Sequence, residues 1–298
     1  MFYDHPSFRR EVQPQVKLES AIVTLNPAES KRLIAKAVCN LPEVEAACKK
    51  GTLVIAWGTT NALVAEEILG KTIVHKTDFA SGVICDGELK VNHPDTKIMP
   101  FVLKDGTLSK VHQKAALSEF KPGDVFIKGA NAVDTKGDIG ILAAAHYGGL
   151  AQEAWFAVVG RGGCFICPVG LEKLVPSVNE ATQKCGIFRF KYSIGLPVAL
   201  VTFSTAKVVT EIQAIKVLTG ASATHVASGG IGGSEGAVTL VVEGEASVLE
   251  QAFELVKSVK GEPPLPPPRQ YTVPPAASLG YDAQAISELF QQFVSKGA

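Results

Sequence analysis

The residues best suited to chemistry fall in three short stretches. "WGTTNALVAEEIL" places Gly58, Thr59, Thr60 and Asn61 where the apolar run "TLVIAW" turns into a helical pattern. A helix starting there offers free backbone N–H groups and the positive end of its dipole, and the threonine hydroxyls add donors, a combination that holds phosphate. The same threonines can also act as plain N-caps, so both uses stay open. "FIKGANAVDTKGDIG", residues 126–140, runs from a strand end through Lys128 into a loop with Asn131, Asp134 and Asp138. Asp134 or Asp138 can move a proton, whereas the amide of Asn131 can only hydrogen-bond. Asp138 equally suits the cap of a helix starting near Ile139. "FASGVICDGE", with Ser81, Gly82, Asp86 and Gly87, reads either as a loop over the site or as a hairpin. His146 is the histidine nearest these stretches, while His75, His93, His112 and His225 lack metal-type spacing.

These residues need a scaffold, and the chain of 298 residues is long enough for one large or two ordinary domains. Hydrophobic residues make up 46% and charged ones 19%, a composition that speaks for buried sheet and against disorder. Lys+Arg and Asp+Glu balance at 29 each, which leaves no electrostatic footprint for nucleic acid. No membrane-length apolar run and no signal peptide are read, and the expected location is cytoplasmic. The six cysteines make no disulfide scaffold, and the CxxC of Cys164 and Cys167 lies in a strand-like run, so buried thiols are expected rather than a redox or metal site. With no Walker lysine pattern and no GxGxxG, no cofactor is expected.

Strands alternate with helices as far as about residue 185. "NPAESKRLIAKAV" has Asn26 as N-cap, Pro27 at the first position and Glu29 completing a capping box. "LPEVEAACKKG", "GTTNALVAEEILG", "LSKVHQKAALSEF", a segment from Ile139 to Val159 and "VPSVNEATQKCG" read as helices. "TLVIAW", "KIMPFVL", "DVFIKG" and "CFICPVG" read as strands. This predicts an open, mostly parallel α/β sheet with its site at the carboxyl ends of the strands. From about Leu196 the pattern restarts as βαββα: "PVALVTF", a helix over "AKVVTEIQAIKVLTG", "ATHVAS" and "AVTLVVEG" joined by "GGIGGSEG" (229–236), then "EASVLEQAFELVKSVKG". With "RQYTV" as a last strand this is a ferredoxin-like α+β layout. The expected domains are 1–195, 196–275 and a C-terminal helix over 276–298.

"VFIKGANAVDTKGDIG…YGG" followed by "CFICPVGLEKLVP" resembles the superfamily of ribose-phosphate isomerases, glucosamine-phosphate deaminases, CoA transferases and sugar-phosphate-sensing repressors, over about residues 50–178. The nearest likeness is to the branch with methylthioribose-1-phosphate isomerase and the regulatory subunits of the initiation-factor exchange complex. The resemblance implies a phosphate turn at Gly58–Asn61, substrate contacts at Lys128, Asn131, His146 and Lys173, and a sugar phosphate or nucleotide as ligand. The isomerase branch has an acid/base aspartate where this chain has Asn131, which favours a sensor or assembly subunit; an isomerase or lyase using Asp134 or Asp138 is the alternative. Residues 196–262, with "GGIGGSEGAVTLVVEGEASVLEQAFELV", resemble the small domain of bacterial microcompartment shell proteins. That likeness implies self-association into a homo-oligomer. The 229–236 hairpin itself can hold an anion or simply connect two strands. The expected partner is thus a phosphorylated small molecule, with neither nucleic acid nor membrane.

Overall fold

The computed structural model describes residues 17–145 and 149–273. His146 and the expected C-terminal helix lie outside the described residues. The main sheet has six strands in the order β12 (Lys207–Val209), β10 (Cys164–Pro168), β7 (Val125–Ile127), β2 (Thr52–Ile55), β5 (Phe101–Lys104) and β6 (Thr107–Ser109). The first four are parallel, and β5 and β6 continue antiparallel, so the sheet is mixed. Strands β2 and β7 are short apolar runs, almost wholly buried, as a sheet covered on both faces requires.

Three smaller antiparallel sheets surround it. One has the order β1 (Glu19–Leu25), β14 (Ala237–Gly244), β13 (Ser222–Gly229). A second joins β8 (Ala132–Val133), β9 (Ile139–Ala143) and β11 (Ala199–Phe203). The third joins β3 (Gly82–Cys85), β4 (Glu88–Asn92) and β15 (Tyr271–Thr272). The helices are α1 (Pro27–Cys39), α2 (Pro42–Lys49), α3 (Thr59–Leu69), α4 (Gln113–Ser118), α5 (Gly149–Val159), α6 (Val178–Lys184), α7 (Glu211–Thr219) and α8 (Ala246–Val259).

Helix α1 is the hub. Asn26 Oδ1 accepts from the N–H of Ala28 and Glu29, and Glu29 Oε2 accepts from the N–H of Asn26 at 2.9 Å, closing the capping box. The helix packs on α3, α7, α8, β10 and β14. Its Leu33, Ile34 and Val38 are fully buried in a core that spans the main sheet and the β1–β14–β13 sheet, each contributing about 1.5–3 kcal/mol of burial. The opposite face of the main sheet packs Phe126 and Phe165 against Leu117, Ala154 and Phe203.

Several sequence expectations change. The run "LSKVHQKAALSEF" is helical only over Gln113–Ser118, because residues 107–109 pair with β5. The segment from Ile139 to Val159 begins as β9, whose pairing with β11 overrides its small-residue, helix-like composition. Residues 207–209, expected in a helix, are β12 of the main sheet; the capping box of Thr210 and Gln213 starts the helix only at Glu211. "RQYTV" gives β15, which pairs with β4 rather than with β13 or β14. "PVALVTF" pairs with β9, and the third strand beside β13 and β14 is the N-terminal β1, along seven residues of register. The chain beyond residue 196 therefore contributes strands to all four sheets. No helix among the described residues is long and apolar enough to cross a membrane.

Candidate functional site

Register places four strand ends in line. Ile55, Ile127 and Ile166 are direct neighbours, and Val209 pairs with Pro168. The chain thus leaves the sheet side by side at Trp57–Gly58, Lys128–Gly129, Val169–Gly170 and Thr210–Glu211, the end where α/β sheets carry their sites. Helix α3 begins here with Gly58 in the cap position and no side-chain cap, so neither Thr59 nor Thr60 takes the capping role. Asn61, fully buried, donates from Nδ2 to Ala56 O at 2.8 Å and Ile127 O at 3.3 Å and so ties β2 to β7. Its Oδ1 has no partner.

Lys128 extends from the end of β7. Among the described residues its one hydrogen bond is a long one, 3.5 Å from Nζ to Trp57 O. The side chain keeps some solvent contact, yet burial, and then the nearby Lys173 charge, lowers its ammonium to about 8. A cation so weakly held is suited to receiving an anion.

Opposite lies a carboxylate pair. The 3-10 turn Leu171–Lys173 follows β10 and carries Glu172, whose carboxylate folds back over Gly170. A Cβ at Gly170 would sit 1.8 Å from Glu172 Oε2, so any other residue here would make the carboxylate swing aside. Glu211, in the first turn of α7 and fully buried, accepts from the N–H of Leu171 at 2.9 Å. Burial, and then the charge of Glu172, pushes its carboxyl well above the usual range. Ser30 of α1 lies beside Glu211, but its Oγ makes no well-formed hydrogen bond. Lys31, its neighbour, is lowered by burial and by Lys173, while Glu172 and Glu211 pull the other way. Lys173 Nζ is 3.8 Å from Glu172 Oε1. The 229–236 hairpin reaches this cluster: a Cβ on Gly236 would meet Pro27 Cγ at 3.4 Å and Glu172 Cβ at 3.6 Å.

Unpartnered buried oxygens are costly, about 1–3 kcal/mol each. Those of Ser30, Asn61, Glu172 and Glu211 belong to elements that meet at this end of the sheet; a fifth, Asn92 Oδ1, lies in β4.

The structure thus brings Gly58, Thr59, Thr60, Asn61, Lys128 and Lys173 to one end of the sheet. The remaining sequence candidates serve the β8–β9 hairpin. Asp134 is buried, and its Oδ1 accepts from the N–H of Lys136 at 2.9 Å and Asp138 at 3.1 Å, while Oδ2 accepts from Val178 at 3.0 Å. It anchors a turn to the start of α6. Asp138 precedes strand β9, so it caps no helix. Asn131 is exposed and its Oδ1 accepts from the N–H of Leu142 at 3.0 Å. The stretch around Asp86–Gly87 is a hairpin: both residues have positive φ, 54° and 74°, as a two-residue turn between β3 and β4 requires. Cys164 and Cys167 are free thiols in the two opposite cores of the sheet. Burial pushes them up to about 11 and about 12, which leaves no reactive thiolate.

Sequence reasoning missed Ser30, Lys31, Glu172 and Glu211. A glutamate inside the apolar "VVTEIQAI" was the available signal for Glu211. Two shallow surface hollows lie elsewhere, one of about 340 Å³ between Lys114 and Arg161 and one of about 660 Å³ beside α6. Neither is lined by an unpartnered buried side-chain oxygen, so the strand ends are the stronger candidate. In comparisons with known proteins, the chain matches no family model, no curated protein and no solved structure.

Proposed function

We propose that this protein binds a phosphorylated small metabolite in the strand-end cleft and acts as a sensor or assembly subunit. One observation carries the reading: an uncapped helix start at Gly58 shares the sheet end with Lys128 and Lys173, and Lys128 has only one long hydrogen bond of its own. Phosphate supplies the acceptors that the helix start and the lysines lack. The likeness of residues 50–178 to sugar-phosphate enzymes and sensors agrees with it.

Thermal shift with a panel of phosphorylated metabolites tests the reading. A true ligand at about 100 times its Kd stabilises the fold by about 2.7 kcal/mol, and Lys128→Met removes that gain. A panel with no stabilising member, or a shift untouched by Lys128→Met, contradicts it.

A second reading, an isomerase or lyase, draws on Glu211 and Lys128, a carboxyl raised and an ammonium lowered toward neutrality in one cleft. Incubating the stabilising metabolite with the protein and following it by NMR separates the two: a sensor leaves the compound unchanged, an enzyme converts it.

Assembly has its own support. β13 is an eight-residue edge strand, and such edges invite pairing with another chain. Light scattering at micromolar concentration tests this, and a monomer rejects it.

A further inference from the structure

We propose that the loop 187–194 is an interfacial anchor that seats the protein on an anionic lipid surface. The inference stands apart from the strand-end cleft and does not rest on phosphate binding there.

The loop joins α6 to β11, and both its ends are tied down. The N–H of Gly186 donates to Val198 O at 3.1 Å, and that of Leu196 to Leu89 O at 2.8 Å. Gly195, with φ 75°, lies so close to β4 that a Cβ there would meet Leu89 O at 2.4 Å. A loop closed at its base in this way is a compact surface feature on a firm scaffold. Phe188, Phe190, Tyr192 and Ile194 alternate along "FRFKYSI" and are 77%, 42%, 81% and 78% exposed. Ile84 of β3, 67% exposed, pairs in register with Leu89, the residue that bridges Gly195. Single exposed apolar side chains are ordinary, but a run of this kind marks an interaction surface.

Charge complementarity selects the partner. The chain as a whole balances 29 basic against 29 acidic residues, but the balance is not local. No Asp or Glu occurs between Glu180 and Glu211, and Lys184, Arg189 and Lys191 fall in or beside the loop. Lys191 Nζ lies 5.1 Å from the ring centre of Tyr192. The acids nearest Ile84 along the chain, Asp86 and Glu88, are met by Lys90 at 3.1 Å and 3.3 Å. Lysine and arginine stems lie along apolar surface while their heads reach for phosphate, and aromatic rings settle at the boundary of headgroups and acyl chains. Single-stranded nucleic acid also takes rings and cations, but its bases need ring faces to stack on. Ile194 and Ile84 offer none, whereas aliphatic bulk suits a hydrocarbon boundary. The lack of a membrane-length apolar run concerns spanning, and a peripheral contact needs none.

Sedimentation of the full chain with lipid vesicles tests this. Phosphatidylcholine vesicles carrying about 30 mol% phosphatidylserine should bind the protein at least about tenfold more tightly than pure phosphatidylcholine, and added salt should weaken that binding. Two double variants separate the contributions, with unchanged melting temperatures showing that both are folded. Tyr192→Ser with Ile194→Ser removes the apolar tip, and Lys184→Glu with Lys191→Glu reverses the charge. Each should weaken binding to the charged vesicles at least about tenfold. Equal binding to the two kinds of vesicle, or binding that either folded variant leaves intact, overturns the proposal. Absence of vesicle binding overturns it as well, and a single-stranded oligonucleotide held instead through Tyr192 would assign the loop to nucleic acid.

Discussion

Ser30, Lys31 and Arg32 are consecutive on α1, yet they serve two polar clusters of opposite character. Arg32 donates to Glu66 at 2.7 Å, Glu67 at 2.8 Å and Glu262 at 2.9 Å, and Glu66 also receives Lys76 at 2.9 Å and the N–H of Ile73 at 2.8 Å. This network ties α1 to α3 and to the chain beyond α8. Burial acts to raise the Glu66 carboxyl, but Arg32 and Lys76 outweigh it and hold the group below its usual range. On the other side of the helix Ser30 and Lys31 face Glu172 and Glu211, where oxygens stay open and Glu211 is raised. The chain pairs its buried charges fully where only architecture is at stake. On the proposed reading, the unpartnered oxygens at the strand ends mark the ligand side of α1.

Loss of Arg32 should have the largest effect. Arg32→Ala leaves Glu66 only Lys76 and the Ile73 N–H and also releases Glu67 and Glu262, and it should cost about 2–3 kcal/mol in urea unfolding. A cost below about 1 kcal/mol would mean the network behaves like an exposed ion pair.

The two clusters also differ in the sign of their pH dependence. Glu211 is raised in the folded state from 4.5 to about 7, so its contribution is fully present below about pH 4.5 and is lost as pH rises to about 7. Glu66 is lowered, so its contribution is present above 4.5 and is lost on acidification. Glu211→Gln should therefore be more stable than the native protein at pH 8, by about 1–3 kcal/mol, and equal to it near pH 4. Parallel stability curves for the two proteins would remove Glu211 from the account.

Asp134→Ala removes the acceptor for three backbone N–H groups. It should cost about 1–3 kcal/mol of stability while leaving phosphate binding within about twofold. Binding lost in a folded Asp134→Ala protein would return this residue to the site. The smallest effect concerns the thiols. Burial pushes Cys39 and Cys167 up to about 12, so neither should react with a thiol reagent at pH 7.5 until the protein unfolds.

Much of the scaffold is legible in the sequence because its signals are local. Asn26, Pro27 and Glu29 announce α1, Gly70 with φ 62° ends α3, and the apolar runs at 52–55, 125–127 and 164–168 are strands. Pairing is not local. β1 carries an alternating pattern, with Val23 and Leu25 inward, but exposed Ile22 blurs it and nothing nearby names β14 as its partner. Thr210–Gln213 is a capping box in plain view, yet the preceding "AKVV" looks like more of the same helix until β10 claims it as a strand. The site divides the same way. Gly58–Asn61 is visible as a strand-to-helix turn, whereas Glu172 looks like an ordinary surface charge and only the apolar residues around Glu211 hint at its burial. Their environment comes from α1 and the 229–236 hairpin, which lie far away along the chain.

Phosphate binding at the strand ends is tested by amide NMR of the labelled full chain under titration with inorganic phosphate. Saturable shifts centred on the N–H groups of Thr59, Thr60 and Asn61 and on Lys128–Gly129, all abolished in Lys128→Met, are expected. Shifts that are absent there, or that gather around Lys114 and Arg161 instead, would contradict it.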